Sequence, residues 1–67
     1  MNNRIQEIRT TLELSQEELA KVSGVSRTVI SQLESGTRKT ITSATMLRLS
    51  KALKTPVEDI FLFKKFT

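Results

Sequence analysis

The sequence predicts an all-α fold in one small domain, and three observations support that prediction. Apolar residues recur along the chain at the three- and four-residue spacings of helices. The two glycines each follow a helical pattern, where chains commonly leave a helix. A chain of 67 residues has room for one hydrophobic core. We therefore expect five helices, with no repeat and no interdomain linker.

The first helix is predicted from its apolar positions and a capping asparagine. Three residues have helical spacing: Ile5, Ile8 and Leu12. Before them, Asn2 or Asn3 can accept a hydrogen bond from the free backbone N–H groups of the first turn. The helix should extend to about Glu13.

The second helix has a more sharply defined beginning. Ser15 and Glu18 have the S-x-x-E spacing of a capping box, in which each side chain accepts a hydrogen bond from the other residue's backbone N–H. The helix should therefore span about Gln16 to Ser23. Three apolar residues are candidates to face inward: Leu19, Ala20 and, as a further candidate, Val22.

A glycine separates the second helix from the third. Gly24 can take a positive φ at little cost, which the position after a helix commonly requires. Ser26 then offers an N-cap for a helix of about Arg27 to Glu34, and Gly36 is a second helix-ending glycine. Two apolar residues should be buried on this helix: Ile30 and Leu33. Two short helices joined by a tight turn form a helix-turn-helix.

Two more helices complete the predicted domain. The fourth has an inward stripe at positions i, i+3, i+4 and i+7: Met46, Leu49, Ser50 and Leu53. Its basic residues should face outward: Arg48, Lys51 and Lys54. In the fifth, Thr55 is expected to cap the helix and Pro56 to occupy its first position. Glu58 and Asp59 are then first-turn acids rather than a catalytic pair, because adjacent helical residues do not face each other.

The composition excludes several classes of protein. With no Cys and no His, the chain cannot form disulfides, the usual zinc sites or Cys/His and Ser/His catalytic groups. We therefore expect neither an enzyme nor a bound metal or cofactor. The N-terminal segment MNNRIQEIRT is polar, and no apolar run approaches the roughly 20 residues of a membrane-spanning helix. These observations predict a cytoplasmic protein with no membrane partner and no evident small-molecule ligand.

Positive charge is concentrated in the middle of the chain. The whole chain carries 11 Lys and Arg against 7 Asp and Glu, a net charge of +4. From Arg27 to Lys54, six basic residues stand against the single acid Glu34. A compact basic surface favours a polyanionic partner, nucleic acid above all. The alternative is an ordinary solvated surface.

The segment LSQEELAKVSGVSRTVISQLESGTRK, at residues 14–39, resembles the helix-turn-helix of the phage Cro/C1 repressor-like, or Xre, family. The matching features include Gln16 at the start of the second helix, Gly24 in the turn, and the sequences VSR and LESG. Three flanking segments resemble the family's first, fourth and fifth helices: IQEIR, MLRLSKAL and TPVEDIF. The resemblance implies a compact five-helix, lambda-repressor-like DNA-binding domain at residues 1–61, with its helix-turn-helix at about 16–35 and a tail at 62–67.

The resemblance assigns base reading to the third helix. In this geometry the second helix of the pair enters the major groove with its N-terminal residues nearest the bases. The polar residues left exposed there are the candidates for reading bases: Arg27, Thr28, Ser31 and Gln32. Arg can bind O6 and N7 of guanine together, and Gln can bind N6 and N7 of adenine. The alternative for Arg27 is a phosphate contact or plain exposure. Val29 replaces a Thr or Ser common in the family, so it should touch a thymine methyl group or pack.

Phosphate contacts are expected on both sides of the reading helix. Five residues are candidates: Gln16, Ser26, Thr37, Arg38 and Lys39. Gln16 lies at a helix N-terminus, where backbone donors and the helix dipole favour an anion. The last three lie in the basic loop SGTRKT, for which a plain exposed loop is the alternative. Such contacts supply affinity and register without sequence information.

The tail FLFKKFT contains all three phenylalanines of the chain. Four apolar residues are the candidates for a dimer interface: Phe61, Leu62, Phe63 and Phe66. Either the fifth helix and its end pack against the same element of a partner, or residues 62–66 form a short strand that pairs with a partner's tail. The alternative is that Phe61 and Phe63 pack onto the core of their own chain.

The function expected from these features is sequence-specific DNA binding. The chain would be a homodimeric transcriptional regulator, a repressor of a phage, mobile element or bacterial operon that acts on double-stranded operator DNA. Two copies would read half-sites roughly 34 Å apart on a near-palindromic operator. The alternative is an antitoxin-like or other protein-binding module that binds DNA only together with a partner protein.

Overall fold

The computed structural model of the protein describes residues 3–61. In this range the chain forms five helices and no strand: α1 at Ile5–Thr11, α2 at Gln16–Ser23, α3 at Arg27–Ser35, α4 at Ser43–Leu53 and α5 at Val57–Ile60. A single antiparallel bridge joins Asn3 to Phe61, so the two ends of the described chain lie side by side. The prediction of an all-α, five-helix domain is confirmed.

The helices pack around one apolar core. α2 packs against α3 and α4, while α1 contacts α3 and α4 contacts α5. Within residues 3–61, nine apolar residues are buried there: Ile5, Leu19, Val25, Ile30, Leu33, Leu49, Leu53, Ile60 and Phe61. Burying one such side chain contributes about 1.5–3 kcal/mol relative to leaving it exposed. Among residues 3–61, no helix has the length and apolar character needed to cross a membrane.

α1 ends two residues earlier than the sequence predicts. Glu13 has a left-handed φ of 59°, and its N–H donates to the Thr10 carbonyl at 2.9 Å. The Leu14 N–H donates to the Arg9 carbonyl at 2.9 Å, which closes the helix as a Schellman motif. This reversal leaves Leu12 41% exposed, although its spacing suggested a core position. At the start of the helix, the N-cap residue is Arg4 rather than an asparagine, and no side chain caps the helix. Asn3 stands one residue earlier, and its side chain accepts from the Ile5 N–H at 3.1 Å.

α2 has the predicted bounds because its cap is local. The Glu18 N–H donates to the Ser15 hydroxyl oxygen at 3.0 Å, and the Ser15 N–H donates to the Glu18 carboxylate at 2.8 Å. The backbone hydrogen bond from Ser15 lowers the pKa of Glu18 below its ordinary value. Val22 was a candidate to face inward, but its side chain is 62% exposed. The buried position in that turn is Ser23, whose hydroxyl accepts from the Val25 N–H at 3.1 Å.

The turn between α2 and α3 has the predicted chemistry. Gly24 has a left-handed φ of 74°, and its N–H donates to the Ala20 carbonyl at 2.9 Å. The Ser26 hydroxyl caps α3 by accepting from the Val29 N–H at 3.1 Å. α3 continues one residue beyond the predicted end, to Ser35, and Gly36 follows with a φ of 81°. The turn therefore sets the angle at which α3 leaves α2.

Gly24→Ala should destabilise the protein through its backbone. A Cβ at this position would meet only Arg48 Nη1, at 4.0 Å, so no clash contributes. The left-handed conformation costs an L-residue about 1–2 kcal/mol, and we expect that loss in the free energy of unfolding by urea denaturation. Gly24→Asn is the matched control, since Asn tolerates this conformation better. Equal losses for Ala and Asn would contradict a backbone origin.

α4 follows its predicted pattern, whereas α5 begins differently. Leu49 and Leu53 are buried, and the three basic residues of the predicted outer face are exposed: Arg48, Lys51 and Lys54. Pro56 is the N-cap of α5 rather than its first helical residue, and no side chain caps this helix. The hydroxyl of Thr55 donates instead to the Leu53 carbonyl at 2.8 Å, because the chain is still closing α4 at that point.

Phe61 belongs to the core of its own chain. Only 1% of its surface is exposed, and it packs with the eight other buried apolar residues. The prediction that Phe61 lies in a dimer interface is therefore wrong, since a side chain buried in this way has no surface left for a partner. The other three predicted interface residues lie outside the described range, as does the possible tail strand: Leu62, Phe63 and Phe66.

Candidate nucleic-acid interface

α3 has one buried face and one polar face. Ile30 and Leu33 are fully buried on the inner side. The four residues predicted to read bases together line one open depression of about 260 Å³: Arg27, Thr28, Ser31 and Gln32. Because residues three and four apart share a helix face, their spacing brings them together. The structure thus places all four on one surface.

Three of these four side chains are available for new contacts. Arg27, Thr28 and Ser31 are exposed, and within residues 3–61 their side chains have no hydrogen-bond partner. The first turn of α3 contains no acidic residue, so no carboxylate competes there with an anion for the free N–H groups. Ser26 accepts one backbone hydrogen bond as the cap, and its hydroxyl hydrogen remains available to donate.

The fourth side chain, Gln32, is already engaged. Arg38 Nη1 donates to Gln32 Oε1 at 2.8 Å, which ties the loop after α3 to the polar face of the helix. Arg38 is half-buried, and its Nε is buried with no partner among the described residues. The guanidinium is thus directed at α3, whereas the sequence predicted that it would contact phosphate.

The rest of the loop is open. Lys39 and Thr37 are exposed, and the Thr37 hydroxyl lies 3.0 Å from the Ser35 hydroxyl. The Thr37 N–H donates to the Gln32 carbonyl at 3.1 Å, so Gly36 closes α3 as a Schellman motif. Lys39 therefore lies three residues after Gly36, the cap at the end of α3, in a position suited to a phosphate contact.

Gln16 joins a network at the N-terminus of α2 that sequence reasoning missed. Its Nε2 donates to Glu34 Oε1 at 3.0 Å. Arg9 binds the same carboxylate through Nε at 2.8 Å and Nη2 at 3.0 Å, and it also donates to the Leu14 carbonyl at 2.7 Å. The network joins α1, the loop after it, α2 and α3. It holds the N-terminus of α2 against the C-terminal end of α3.

The Arg9–Glu34 ion pair is shielded from solvent. The two side chains are only 12% and 5% exposed. The hydrogen bond to Glu34 raises the pKa of Arg9 above its ordinary value. Because Arg9 neutralises Glu34, the carboxylate does not leave a net negative charge beside Gln16. One feature of the sequence could have indicated this network: Glu34 is the single acid between Arg27 and Lys54, which suggests that it has a specific partner.

Val29 is half-buried and packs against the core. Packing was one of the two expectations for this position. Within residues 3–61, no group of three or more acidic residues lies close enough together to hold a metal ion.

Comparisons with known proteins agree with this geometry. The sequence model of the helix-turn-helix family matches residues 5–60. RghRB, an uncharacterized HTH-type transcriptional regulator of Bacillus subtilis strain 168, is 37% identical over 57 residues, which are 85% of this chain and 41% of RghRB. The chain therefore spans less than half the length of that relative.

The fold also matches a solved structure. The crystal structure of the restriction-modification controller protein C.AhdI from Aeromonas hydrophila superposes with a TM-score of 0.79 at 36% identity, and the match covers 87% of this chain and 86% of C.AhdI. The matched family model covers most of the chain, and both relatives are regulators or controllers. The chain belongs to the Cro/C1-type helix-turn-helix family of DNA-binding transcription regulators.

Proposed function

We propose that this protein is a homodimeric transcriptional repressor that reads a near-palindromic operator with α3 in the major groove. The observation that carries the proposal is the polar face of α3. Arg27, Thr28 and Ser31 extend from it without partners among the described residues, and no acid lies in the first turn of the helix. A polar, basic face on a rigid helix is what direct base reading requires.

The roles of the side chains follow from their chemistry and position. Arg27, at the N-terminal end of α3, binds guanine O6 and N7. The exposed loop residues Thr37 and Lys39 contact the phosphate backbone after the reading helix. On the other side, the N-terminus of α2 with Gln16 and the Ser26 hydroxyl at the N-cap of α3 provide donors to phosphate. Phosphate contacts fix the register, and base contacts supply specificity.

A dimer is proposed because one copy presents a single reading helix. Two copies related by a twofold axis would place two α3 helices roughly one helical turn, about 34 Å, apart. The interface proposed for this dimer uses tail residues beyond the described range: Leu62, Phe63 and Phe66.

Binding to genomic DNA tests the proposal. Fluorescence anisotropy with fragments from beside the gene and with random fragments, at about 50 and 200 mM salt, should reveal one site bound at least about 10³-fold more tightly than random DNA. Two copies should occupy that site. A protein that binds every fragment equally, with affinity that falls steeply with salt, is not an autonomous operator-binding regulator and would favour the alternative of a partner-dependent module.

Arg27→Ala and Lys39→Ala should have different effects on that binding. Removing Arg27 should cost about 1–3 kcal/mol on the operator and relax the base preference at one position of each half-site. Removing Lys39 should weaken binding to all sequences alike and reduce the salt slope by about 1. Titrations of operator variants at several salt concentrations measure both effects. Uniform loss for Arg27 and altered base preference for Lys39 would reverse the two roles.

A further inference from the structure

The contact between Arg38 and Gln32 fixes which end of the Gln32 amide is free. A guanidinium has only donors, so the Gln32 atom 2.8 Å from Arg38 Nη1 must be the amide oxygen. The amide nitrogen, with its two hydrogens, is then the end that remains. Gln32 also lines the depression formed with Arg27, Thr28 and Ser31, so its free end belongs to the candidate reading surface.

Backbone hydrogen bonds between the loop and Gln32 hold the Arg38–Gln32 contact in place. The N–H groups of Thr37 and Arg38 both donate to the Gln32 carbonyl, at 3.1 and 3.2 Å. Arg38 therefore donates hydrogen bonds to Gln32 from both its backbone N–H and its side chain. Its buried Nε is shielded from solvent, and hence from a phosphate that approaches through solvent. These observations favour an arginine that positions its neighbour over one that binds the DNA backbone.

We propose that Arg38 is a positioning residue that makes Gln32 a hydrogen-bond donor and so directs its preference toward guanine. This inference rests on the proposed function of α3. An unrestrained Gln binds adenine by accepting from N6 and donating to N7, which requires the oxygen and the nitrogen to face the base edge together. Here the oxygen is turned toward Arg38. Guanine, whose major-groove edge presents two acceptors, O6 and N7, suits the remaining amide N–H groups.

Four variants of the full chain separate this role from a phosphate contact: Arg38→Ala, Arg38→Lys, Gln32→Ala and, as the exposed control, Lys39→Ala. Each is titrated against operators that carry every base at every position, at several salt concentrations. For the wild type we expect a guanine preference of at least about fivefold at one base pair of each half-site. Gln32→Ala and Arg38→Ala should both remove it, and a fifth variant that combines these two substitutions should show no further change in preference.

Arg38→Lys tests the role of charge. It retains a cation but lacks the planar fork of the guanidinium, so it should lose the guanine preference while leaving the salt slope unchanged. Arg38→Ala should also leave the slope unchanged, whereas Lys39→Ala should reduce it by about 1. A gain in adenine binding by Arg38→Ala would further support the proposal, because the released amide could then make the bidentate contact.

Two outcomes would overturn the proposal and are distinguishable. If wild-type protein prefers particular bases but Arg38→Ala weakens all operators equally and reduces the salt slope, Arg38 is a phosphate contact and only this inference fails. If wild-type protein shows no base preference at any position, the proposed function fails, and the role of Arg38 fails with it. Thermal unfolding of each variant by circular dichroism identifies the temperature at which all of them are folded, and binding is measured there.

Discussion

Glu34→Ala should leave much of the protein unfolded at room temperature. The substitution removes the acceptor of three hydrogen bonds, two from Arg9 and one from Gln16, and leaves the 12% exposed Arg9 side chain without its counter-charge. Breaking a buried ion pair in this way costs about 3–5 kcal/mol. A chain of 67 residues has a total stability of about 3–10 kcal/mol, so the loss is comparable with the whole.

Urea denaturation followed by circular dichroism measures this loss, and an exposed ion pair provides its control. Arg4 and Glu7 form a contact of 2.6 Å, but their side chains are 44% and 62% exposed. Glu7→Ala should therefore cost no more than about 1 kcal/mol, because water and salt screen the pair. If Glu34→Ala cost no more than Glu7→Ala, the network would not be what holds α1 and α2 against the end of α3.

Ile30→Ala should be the second strongly destabilising substitution. Ile30 is fully buried on the inner face of α3, opposite the polar face proposed to read bases. Truncating a buried Ile to Ala costs about 2–5 kcal/mol, the sum of lost burial and the cavity left behind. DNA binding should fall with the folded fraction, and it should recover on addition of a stabilising osmolyte, which is excluded from the protein surface and so favours burial.

Val22→Ala is the control for Ile30→Ala. It also deletes apolar atoms from a helix, but at a side chain that is 62% exposed. The free energy of unfolding should change by less than about 0.5 kcal/mol. A loss similar to that of Ile30→Ala would contradict the exposure of Val22 and would mean that its side chain is covered in solution. Both variants are compared by urea denaturation at the same protein concentration.

Predictions that depended on local chemistry were the accurate ones. The bounds of α2 were predicted correctly because Ser15 and Glu18 satisfy each other within one turn. The turn was predicted because Gly24 and Gly36 supply left-handed positions that other residues adopt at a cost. The grouping of Arg27, Thr28, Ser31 and Gln32 followed from helical spacing alone.

Predictions of side-chain burial were less accurate, because burial depends on which helix faces pack against each other. Val22 and Leu12 have apolar side chains at helical spacing, yet the neighbouring helices leave both largely exposed. Glu13 adopts a left-handed conformation that ends α1, although it is not a glycine and the sequence therefore did not indicate it. In the sequence, Phe61 belongs to an apolar C-terminal segment that could lie on the surface. In the structure, Phe61 pairs with Asn3 in a backbone bridge, and its side chain is buried in the core.

The amino-acid sequence by itself determined the number of helices, the N-caps of α2 and α3, the glycine turn and the polar face of α3, because each depends on residues within about one turn of one another. Only the tertiary structure decided the partners of the side chains. Arg9 and Glu34 are 25 residues apart, and no periodicity predicts that they meet. The orientation of Gln32 likewise depends on a loop that returns to the helix and places Arg38 beside it. Local hydrogen bonding can be read along a chain, whereas the pairing of buried polar groups is decided by how the helices pack.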